Sequence, residues 1–324
     1  MTVMRERKIV VAGKTLALPC FFPSVSSIKT NLLPVDYIEL LNAAAHPLYL
    51  VSAYDIASSC PENQHRIHSA MQQSRTKGSV VLLDSGNYED FWKGNNDWCV
   101  NRFHAICKGY EHDIGFCYDN QKPPDTPETI AEDVIRGVLR DQEHAPATIV
   151  PIVHGPTKLL PQAVTKVAEQ LCPVLLAVPE RALGEGIATR IRSVRQIRRA
   201  LNELDFYCPL HLLGTGNPIS MIAYTIAGAD SFDGLEWCQT VVDHKTALLH
   251  HFQQWDFMRE QTEWGVNGSL PFTQSVLMHN LDFYAAFTRR MQQSTDDHAL
   301  YDIVESFIPT AWREIVCNAF EEDK

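Results

Sequence analysis

The sequence predicts an α/β fold in which eight parallel strands, each followed by a helix, close into a (β/α)₈ barrel. Three observations lead to this prediction. Short apolar segments rich in β-branched residues alternate with segments of helical spacing, eight such repeats occur, and several of the apolar segments end at a polar residue. The length of 324 residues lies within the range of one barrel domain. The sequence contains no glycine-rich phosphate-binding motif of the open nucleotide-binding sheets.

The eight predicted strands are apolar and stop abruptly at a polar residue or at a proline or glycine. They are residues 18–23, 48–52, 80–84, 114–119, 148–154, 174–180, 210–214 and 231–233. The helices predicted between them have apolar residues three and four positions apart and contain good helix formers. The clearest are residues 127–140, 160–171, 187–204 and 218–227. We therefore treat residues 1–324 as a single barrel domain.

Composition and charge exclude several classes of protein. Apolar residues make up 45% and charged residues 21%, as in ordinary globular proteins, which excludes disorder and coiled coil. No apolar run approaches the roughly 18 residues of a membrane span, and no secretory signal is visible. Acidic residues outnumber basic ones by 39 to 28, which argues against non-specific coating of nucleic acid but not against an enzyme acting on it. Nine scattered cysteines without a CxxC pair indicate reduced thiols, so we expect a cytoplasmic protein.

Five predicted strands finish in residues that can carry catalytic chemistry, namely Asp84, Asp119, His154, Glu180 and Asp233. Because the carboxyl ends of barrel strands meet at one mouth, these side chains should converge. A single Asp at a strand end is more often a helix N-cap, but four carboxylates and a histidine exceed what capping explains. Crowded carboxylates suit chemistry at a sugar C1′, where one attacks or stabilises the carbon and another handles protons. Glycoside hydrolysis, nucleoside hydrolysis and base exchange are all open at this point.

Several segments carry a more specific signal. They are residues 83–88, 118–124, 152–155, 181–185, 213–218, 229–234 and 278–283. In that order they resemble the DSGG(F/Y)Q, FDECTPYP, (I/V)VQGG, LAVGE, MGVGxPED, GIDMFDC and IHNLxF segments of the tRNA-guanine transglycosylases. The matches extend from Leu18 to Arg290 with order and spacing kept, so the resemblance covers nearly the whole chain.

The resemblance implies a TIM barrel that exchanges guanine in nucleic acid for a 7-deazaguanine such as preQ0, a pentosyltransferase reaction. It implies that Asp233 is the nucleophile that attacks C1′ and forms a covalent glycosyl intermediate, and that Asp84 is the acid/base residue. Asp119 falls on the residue that binds the amino and N1 edge of the base. His154 replaces the glutamine that donates to the base carbonyl, and an imidazole N–H is also a donor. The further substrate-binding residues implied by the resemblance are Ser85, Gly86, Glu185, Leu213 and Gly214.

The sequence departs from the family at its zinc site. The family binds zinc through a CxCxxC segment and a downstream histidine, and His279 falls on that histidine with no CxCxxC before it. Since a zinc site needs about four ligands, we expect no metal and no other cofactor. A different site from His244, His250, His251 and His279 is the less favoured alternative. We predict instead a rebuilt C-terminal helical subdomain at residues 237–290, with His250 and His251 on a helix flank and His279 in a structural hydrogen bond. The aromatic residues expected to pack it are Trp255, Phe257, Trp264, Phe272 and Phe283.

A second departure follows the predicted nucleophile, where the family has arginines that help organise the nucleic-acid site. Here Glu236 adds a negative charge and Trp237 offers a ring on which a base can stack. Asn87 and Glu89 also replace the Gly and Gln of the first motif. We therefore expect DNA, the substrate of relatives that insert 7-deazaguanine into DNA, slightly ahead of tRNA. The arginines of residues 187–204 are either a phosphate-binding strip or, more simply, a solvated helix face.

Two other functions are weighed against base exchange. One is a non-catalytic partner subunit of a transglycosylase complex, and the other is hydrolysis of a free nucleoside, with water as the acceptor. Aspartates at all three key positions favour the exchange enzyme. The expected partners are nucleic acid and a 7-deazaguanine base, with no membrane. If duplex DNA is the substrate we also expect an accessory protein, because the guanine must leave the base stack at a cost of a few kcal/mol.

Overall fold

The computed structural model describes residues 5–94, 97–294 and 297–321. Its strands are β1 (Lys8–Val11), β2 (Lys14–Ala17), β3 (Cys20–Val25), β4 (Leu48–Ser52), β5 (Val80–Asp84), β6 (Ile114–Phe116), β7 (Thr148–Val150), β8 (Leu176–Pro179), β9 (Leu210–Leu213), β10 (Ser231–Gly234), β11 (Thr240–Val242) and β12 (Leu249–His251). Strands β3 to β10 pair in parallel in the order β7–β6–β5–β4–β3–β10–β9–β8. A parallel bridge between Ile152 and Ala177 brings the two ends of this order together. The sheet is thus a (β/α)₈ barrel, which confirms the predicted fold class.

Helices cover the outside of the barrel and form the C-terminal part of the chain. They are α1 (Pro34–Ala43), α2 (Ala53–Ser58), α3 (Pro61–Thr76), α4 (Asn87–Lys93), α5 (Val100–Gly109), α6 (Pro127–Gln142), α7 (Leu160–Leu171), α8 (Ile187–Leu201), α9 (Pro218–Ala227), α10 (Glu236–Gln239), α11 (Glu263–Val266), α12 (Phe272–Gln293), α13 (Asp297–Phe307) and α14 (Thr310–Glu321), with 3₁₀ turns at Glu180–Leu183, Phe252–Phe257 and Arg259–Gln261. Local signals start them: Asn217 caps α9 through its side chain and Pro218 occupies the first turn. Among the described residues, no helix is long and apolar enough to cross a membrane.

The predicted strands and helices are all present, with differences at their ends. Strand β6 ends at Phe116 and β7 at Val150, so Asp119 and His154 lie in the loops after these strands rather than at their last residues. The cause after β6 is visible at Tyr118, whose backbone N–H donates to the carboxylate of Asp141 at 2.6 Å instead of to a neighbouring strand. Helix α8 ends three residues before the predicted boundary.

Apolar side chains fill the barrel interior and the layer between sheet and helices. Inside, Phe22, Leu50 and Leu82 come from three neighbouring strands and belong to one buried cluster. The hairpin β1–β2 adds Ile9 and Val11 to the same cluster. Because this hairpin leads directly into β3, its apolar residues close the end of the barrel where the strands begin.

A buried ion network anchors the start of β10. The fully buried carboxylate of Asp230 accepts hydrogen bonds from Arg198 at 2.8 Å, Arg5 at 3.0 Å and the Tyr207 hydroxyl at 2.7 Å. It also accepts the backbone N–H of Leu210, the first residue of β9, at 2.9 Å. These bonds tie β9, β10, helix α8 and the N-terminal segment together at one point.

Three arginines of α8 are held by contacts within the protein, so the interpretation of this segment as a solvated helix face is wrong for these three. Arg198 is buried against Asp230. Arg195 donates to the carbonyl of Phe320 in α14 at 2.6 Å. Arg190 forms an ion pair with Glu180 at 3.0 Å, and both side chains line the cavity at the barrel mouth.

The C-terminal region differs from the expectation in its packing. Trp255 and Phe283 are buried as predicted and Trp264 is half-buried, but Phe257 is 79% exposed and Phe272 is 42% exposed, so these two do not serve as core residues. The expected helix flank is also wrong, since His250 and His251 lie in β12, where the ladder with β11 fixes them as strand residues.

Trp237 is another residue whose predicted role is wrong. Its side chain is fully buried and its indole N–H donates to the carbonyl oxygen of Ser24 at 2.8 Å. A ring in this position packs against Tyr37, with ring centroids 5.5 Å apart, and cannot stack on a substrate base. Helix α10 turns Trp237 towards the core because its neighbour Glu236 takes the side that faces the barrel mouth.

The ion network at Asp230 predicts a large loss of stability in the variant Asp230→Ala. Removing the carboxylate leaves the Arg198 guanidinium buried without its charged partner, which typically costs about 3–5 kcal/mol. Urea unfolding at pH 7 measures the loss. The matched control is Asp36→Ala, which breaks an ion pair with Arg66 in which both side chains are more than one-third exposed. Equal losses in the two variants would contradict the structural role given to Asp230.

Candidate active site

A cavity of about 380 Å³ opens at the carboxyl ends of the barrel strands. This is the end opposite the hairpin, where barrel enzymes carry their chemistry, and the volume lies within the range of small-molecule sites. Polar and charged side chains from most of the strand–helix loops line it. They include Ser24, Ser26, Asp84, Ser85, Asn87, Glu89, Asp119, Gln121, His154, Glu180, Arg181, Arg190, Asp233, Glu236 and Gln239.

Asp233 lies in β10 at the floor of the cavity, with 7% of the residue exposed. Its Oδ2 accepts a hydrogen bond from the Ser24 hydroxyl at 2.7 Å. Its Oδ1 is 3.0 Å from His211 Nε2 and accepts the backbone N–H of Gly214 at 3.0 Å. Three donors from three different strands or loops therefore fix the orientation of this carboxylate.

His211 connects Asp233 to a polar chain inside the barrel. Its Nδ1 is 2.8 Å from the hydroxyl of Ser231, and the thiol of Cys20 donates to that hydroxyl at 3.3 Å. Burial raises the pKa of Cys20 to about 12, so the thiol keeps its proton and acts as the donor. The hydroxyl of Ser231 then donates to Nδ1, and Nε2 carries the proton that it donates to Asp233. Sequence reasoning missed His211 because it sits in the middle of an apolar strand, where a histidine is usually only structural.

Asp84 ends β5 beside the same cavity. Burial, together with the charges of Asp119 and Asp233, raises its pKa to about 7 against the opposing hydrogen bond from the N–H of Gly86. Gly86 is required at this point because its φ is +83° and a Cβ there would lie 2.6 Å from the Cβ and backbone nitrogen of Tyr54. The carboxyl of Asp84 is therefore poised to hold or release a proton near neutral pH.

Asp119 and His154 form a pair on another wall of the cavity. His154 Nε2 is 2.5 Å from Asp119 Oδ2, and the side chains of Ser85 and Asn87 donate to Asp119 Oδ1 at 2.9 and 2.7 Å. Burial alone would raise the pKa of Asp119, but the hydrogen bonds and the nearby imidazole lower it below its usual value. Gln121 also donates to Asp119 from an exposed loop position.

Three further carboxylates line the cavity. Glu89 accepts hydrogen bonds from Ser26 at 2.5 Å and Ser52 at 2.7 Å, and burial raises its pKa to about 8. Burial raises the pKa of Glu236 to about 7. Glu180 is paired with Arg190.

Glu236 has room in the cavity because two of its neighbours are glycines. A Cβ at Gly216 or at Gly234 would overlap its carboxylate. The sequence marked Glu89 and Glu236 only as departures from family motifs, and it gave no signal that either side chain points into the site. Ser24, Gln121, Arg181 and Arg190 were also not predicted as site residues.

The structure brings together most of the predicted site residues but not all. Asp84, Ser85, Asp119, His154, Leu213, Gly214 and Asp233 line the cavity. The backbone N–H of Gly86 donates a hydrogen bond to the carboxylate of Asp84 at 2.9 Å. Glu185 is exposed and outside the cavity lining, because Gly184 and Gly186 direct the loop before α8 towards solvent.

This arrangement suits displacement at a sugar carbon. A carboxylate with fixed orientation lies at the floor, a second carboxyl that titrates near neutral pH lies beside it, and an Asp–His pair presents polar atoms to the edge of a flat ring. Next to these groups the cavity wall is formed by the apolar side chain of Leu213 and by Gly214, which has no side chain.

No family model matches the chain. Proteins named tRNA-guanine(15) transglycosylase are similar to it. The one from Thermococcus onnurineus is 21% identical over 256 residues (74% of this chain, 42% of that protein), the one from Methanopyrus kandleri is 24% identical over 250 residues (72% and 51%), and the one from Haloferax volcanii is 22% identical over 319 residues (91% and 60%). The chain spans about half the length of the curated relatives it matches. These similarities, at 21–24% identity, agree with the resemblance to the tRNA-guanine transglycosylases.

The residues here do not fit the zinc site that the family resemblance implies. Both ring nitrogens of His279 are within hydrogen-bond distance of other groups, Nε2 with the carbonyl of Val242 at 2.7 Å and Nδ1 with the hydroxyl of Thr262 at 3.0 Å, so the predicted structural hydrogen bond is confirmed. The thiol of Cys238 donates to the carbonyl of Leu235. Within the described ranges, no three His, Cys, Asp or Glu side chains come together in a metal-binding group.

The buried carboxyl groups predict that stability falls as pH rises. The unfolded chain loses the Glu89 proton near pH 4.5, whereas the folded protein keeps it to about pH 8. The folded state binds more protons between these values, so the free energy of unfolding decreases from about pH 5 to pH 8. Glu89→Gln removes this titration, and we expect the variant to lose about 1–3 kcal/mol less than the parent protein over this interval. Urea unfolding at pH 5, 6, 7 and 8 measures it.

The replacement Glu62→Gln serves as the control for Glu89→Gln, since it makes the same chemical change at an exposed position of α3. Parallel stability–pH curves for Glu89→Gln and the parent protein would show that Glu89 is ionised in the folded protein and would overturn this prediction.

Proposed function

We propose that this protein is a member of the tRNA-guanine transglycosylase superfamily and a guanine transglycosylase, a pentosyltransferase that replaces guanine in nucleic acid by a 7-deazaguanine such as preQ0. The observation that carries the proposal is the cavity in which Asp233, Asp84 and the Asp119–His154 pair meet. The names of the similar proteins agree with this class of reaction. We propose that the exchange needs no metal or other cofactor.

In the first step a carboxylate oxygen of Asp233 attacks C1′ and the bond from C1′ to the guanine N9 breaks. A covalent glycosyl ester forms, and the departing guanine takes a proton from Asp84, which is partly protonated near pH 7. In the second step Asp84 accepts the N9 proton of the incoming base, whose nitrogen attacks C1′ and releases Asp233. Two displacements restore the original configuration at C1′.

The base is held by the Asp119–His154 pair in this proposal. Asp119 accepts hydrogen bonds from the N1 and amino groups of guanine, which requires the exposed Gln121 side chain to leave Asp119. In the structure His154 Nε2 is directed at Asp119. It can donate to the base carbonyl only if that carbonyl oxygen replaces Asp119 as its partner. Ser85 orients Asp119, Gly86 fixes Asp84, and Leu213 and Gly214 contact the ring. Glu185 stays a proposed binding residue that acts only if its loop moves.

We propose DNA ahead of tRNA as the nucleic acid. At the positions where the family has arginines after its nucleophile, Glu236 and Gln239 line the cavity instead, and Trp237 is buried. The site therefore lacks the positive charges at that point that the resemblance associates with tRNA, and the grip on the nucleic acid must differ. With duplex DNA, an accessory protein that opens the helix would be a partner.

The main test is incorporation of labelled guanine and labelled preQ0 into tRNA, single-stranded DNA and duplex DNA. We expect label to enter DNA with the parent protein and none to enter with Asp233→Ala, because the nucleophile is gone. Asp36→Ala, a surface carboxylate variant, should retain full incorporation. Label in tRNA alone would overturn the preference for DNA but not the exchange reaction. No label in any substrate would favour the non-catalytic partner subunit.

The polar chain behind Asp233 predicts a graded effect of His211 variants. His211→Leu removes the donor to Asp233 Oδ1, and we expect kcat to fall about 10²-fold with KM for the nucleic acid nearly unchanged. His211→Gln keeps an N–H donor of similar reach and should restore most of the rate. Circular dichroism and urea unfolding check that both variants fold. Equal rates in His211→Leu and His211→Gln would show that His211 only fills space.

A further inference from the structure

Helix α4, which begins three residues after Asp84, exposes three large aromatic side chains. Tyr88 is 40% exposed, Phe91 72% and Trp92 50%. We call these three residues the aromatic rim. The ring centroids of Tyr88 and Trp92 are 6.4 Å apart and those of Phe91 and Trp92 are 5.7 Å apart, so the rings form one continuous patch. Adjacent exposed rings of this size on a seven-residue helix contribute little to the core and indicate a binding surface.

The aromatic rim is continuous with the active-site cavity. The buried side of α4 supplies Asn87 and Glu89 to the cavity wall, and Tyr88 lines the cavity from the exposed side. Basic side chains flank the mouth. Lys29, in the loop after β3, places its ammonium group 4.4 Å from the centroid of the Trp92 ring, and Arg181 is exposed on the lining from the loop after β8.

We propose that the aromatic rim stacks the base of a nucleotide that flanks the exchanged guanine in a single-stranded segment. This inference rests on the proposed function. A cavity of about 380 Å³ accommodates the reacting nucleotide, so the chain on either side of it must leave over the mouth. The neighbouring bases lose their stacking partner when the guanine enters the cavity, and exposed aromatic rings replace that partner for any base sequence.

Charge complementarity supports a nucleic-acid strand rather than an apolar protein segment as the occupant. Lys29 lies beside Trp92 and Arg181 lies on the cavity lining, so both cations are available to pair with phosphates of a bound strand. A protein segment that buried the rings would also cover these cations. The rings are inclined to one another by 69° and 81°, which presents separate ring faces rather than a flat surface for a second copy of the chain.

The test is the double variant Phe91→Ala/Trp92→Ala, with Phe257→Ala as the matched control. Phe257 is an aromatic residue that is 79% exposed and outside the cavity lining. We expect KM for a single-stranded oligonucleotide to rise about tenfold in the double variant, with kcat within about twofold of the parent, because stacking binds the strand without touching the reacting atoms. Phe257→Ala should change neither constant. Trp92→Phe, which keeps a ring, should retain the parent KM.

A binding measurement separates this inference from the proposed function. In an Asp233→Asn background, which cannot turn over, an oligonucleotide carrying 2-aminopurine next to the target guanine should show quenched fluorescence that is lost in the double variant. Exchange by the parent protein, with KM and quenching unchanged in the double variant, would overturn the proposed stacking by the aromatic rim but not the proposed function. Neither exchange nor oligonucleotide binding by the parent protein would overturn the proposed function and the aromatic rim with it. A dimer that the double variant converts to monomer, at unchanged oligonucleotide affinity, would assign the rim to self-association instead.

Discussion

Six carboxylates share one partly enclosed cavity, and the repulsion between them constrains which of them can be ionised. Like charges in a weakly polar environment cannot all be ionised at neutral pH. Three of the six have raised pKa values and share the protons, namely Asp84, Glu89 and Glu236. The other three are each held by fixed donors, namely Asp119 by His154, Glu180 by Arg190, and Asp233 by Ser24, His211 and Gly214. This division supports the proposed roles of Asp233 as nucleophile and Asp84 as acid/base group, although both side chains are of the same kind.

The fold and the residues at the ends of strands could be predicted from the sequence, because both follow from short-range patterns. The apolar strand that stops at Asp84 is one example: the change from apolar to charged residues predicts where the strand ends. Barrel topology then places that end at the mouth. His211 and Glu236 could not be predicted in this way. His211 lies within an apolar strand, and only pairing with β10 reveals that it faces Asp233. Glu236 depends on space left by Gly216 and Gly234, which are far apart from one another in sequence.

Buried hydrogen bonds hold the region from 237 to 290 together. Asn280 is fully buried, accepts the N–H of Val242 at 3.0 Å, and donates to the carbonyls of Trp237 at 2.7 Å and Thr240 at 2.8 Å. His279, next to it on α12, binds the carbonyl of Val242. These contacts hold β11 against α12. Of the aromatic residues predicted to pack this region, Trp255 and Phe283 are buried, whereas Phe257 and Phe272 are exposed.

The polar chain from Cys20 through Ser231 and His211 to Asp233 extends the active site below the cavity into the barrel interior. A fully buried histidine among Phe22 and Phe116 is tolerated there because both of its ring nitrogens have partners. Because each group needs a hydrogen-bond partner, all hydrogen bonds of this chain run in one direction, from the thiol of Cys20 to the carboxylate of Asp233. Oδ1 of Asp233 has two hydrogen-bond donors, whereas Oδ2 has only Ser24. If this protein attacks a sugar carbon through Asp233, Oδ2 is therefore the oxygen with a lone pair available for C1′.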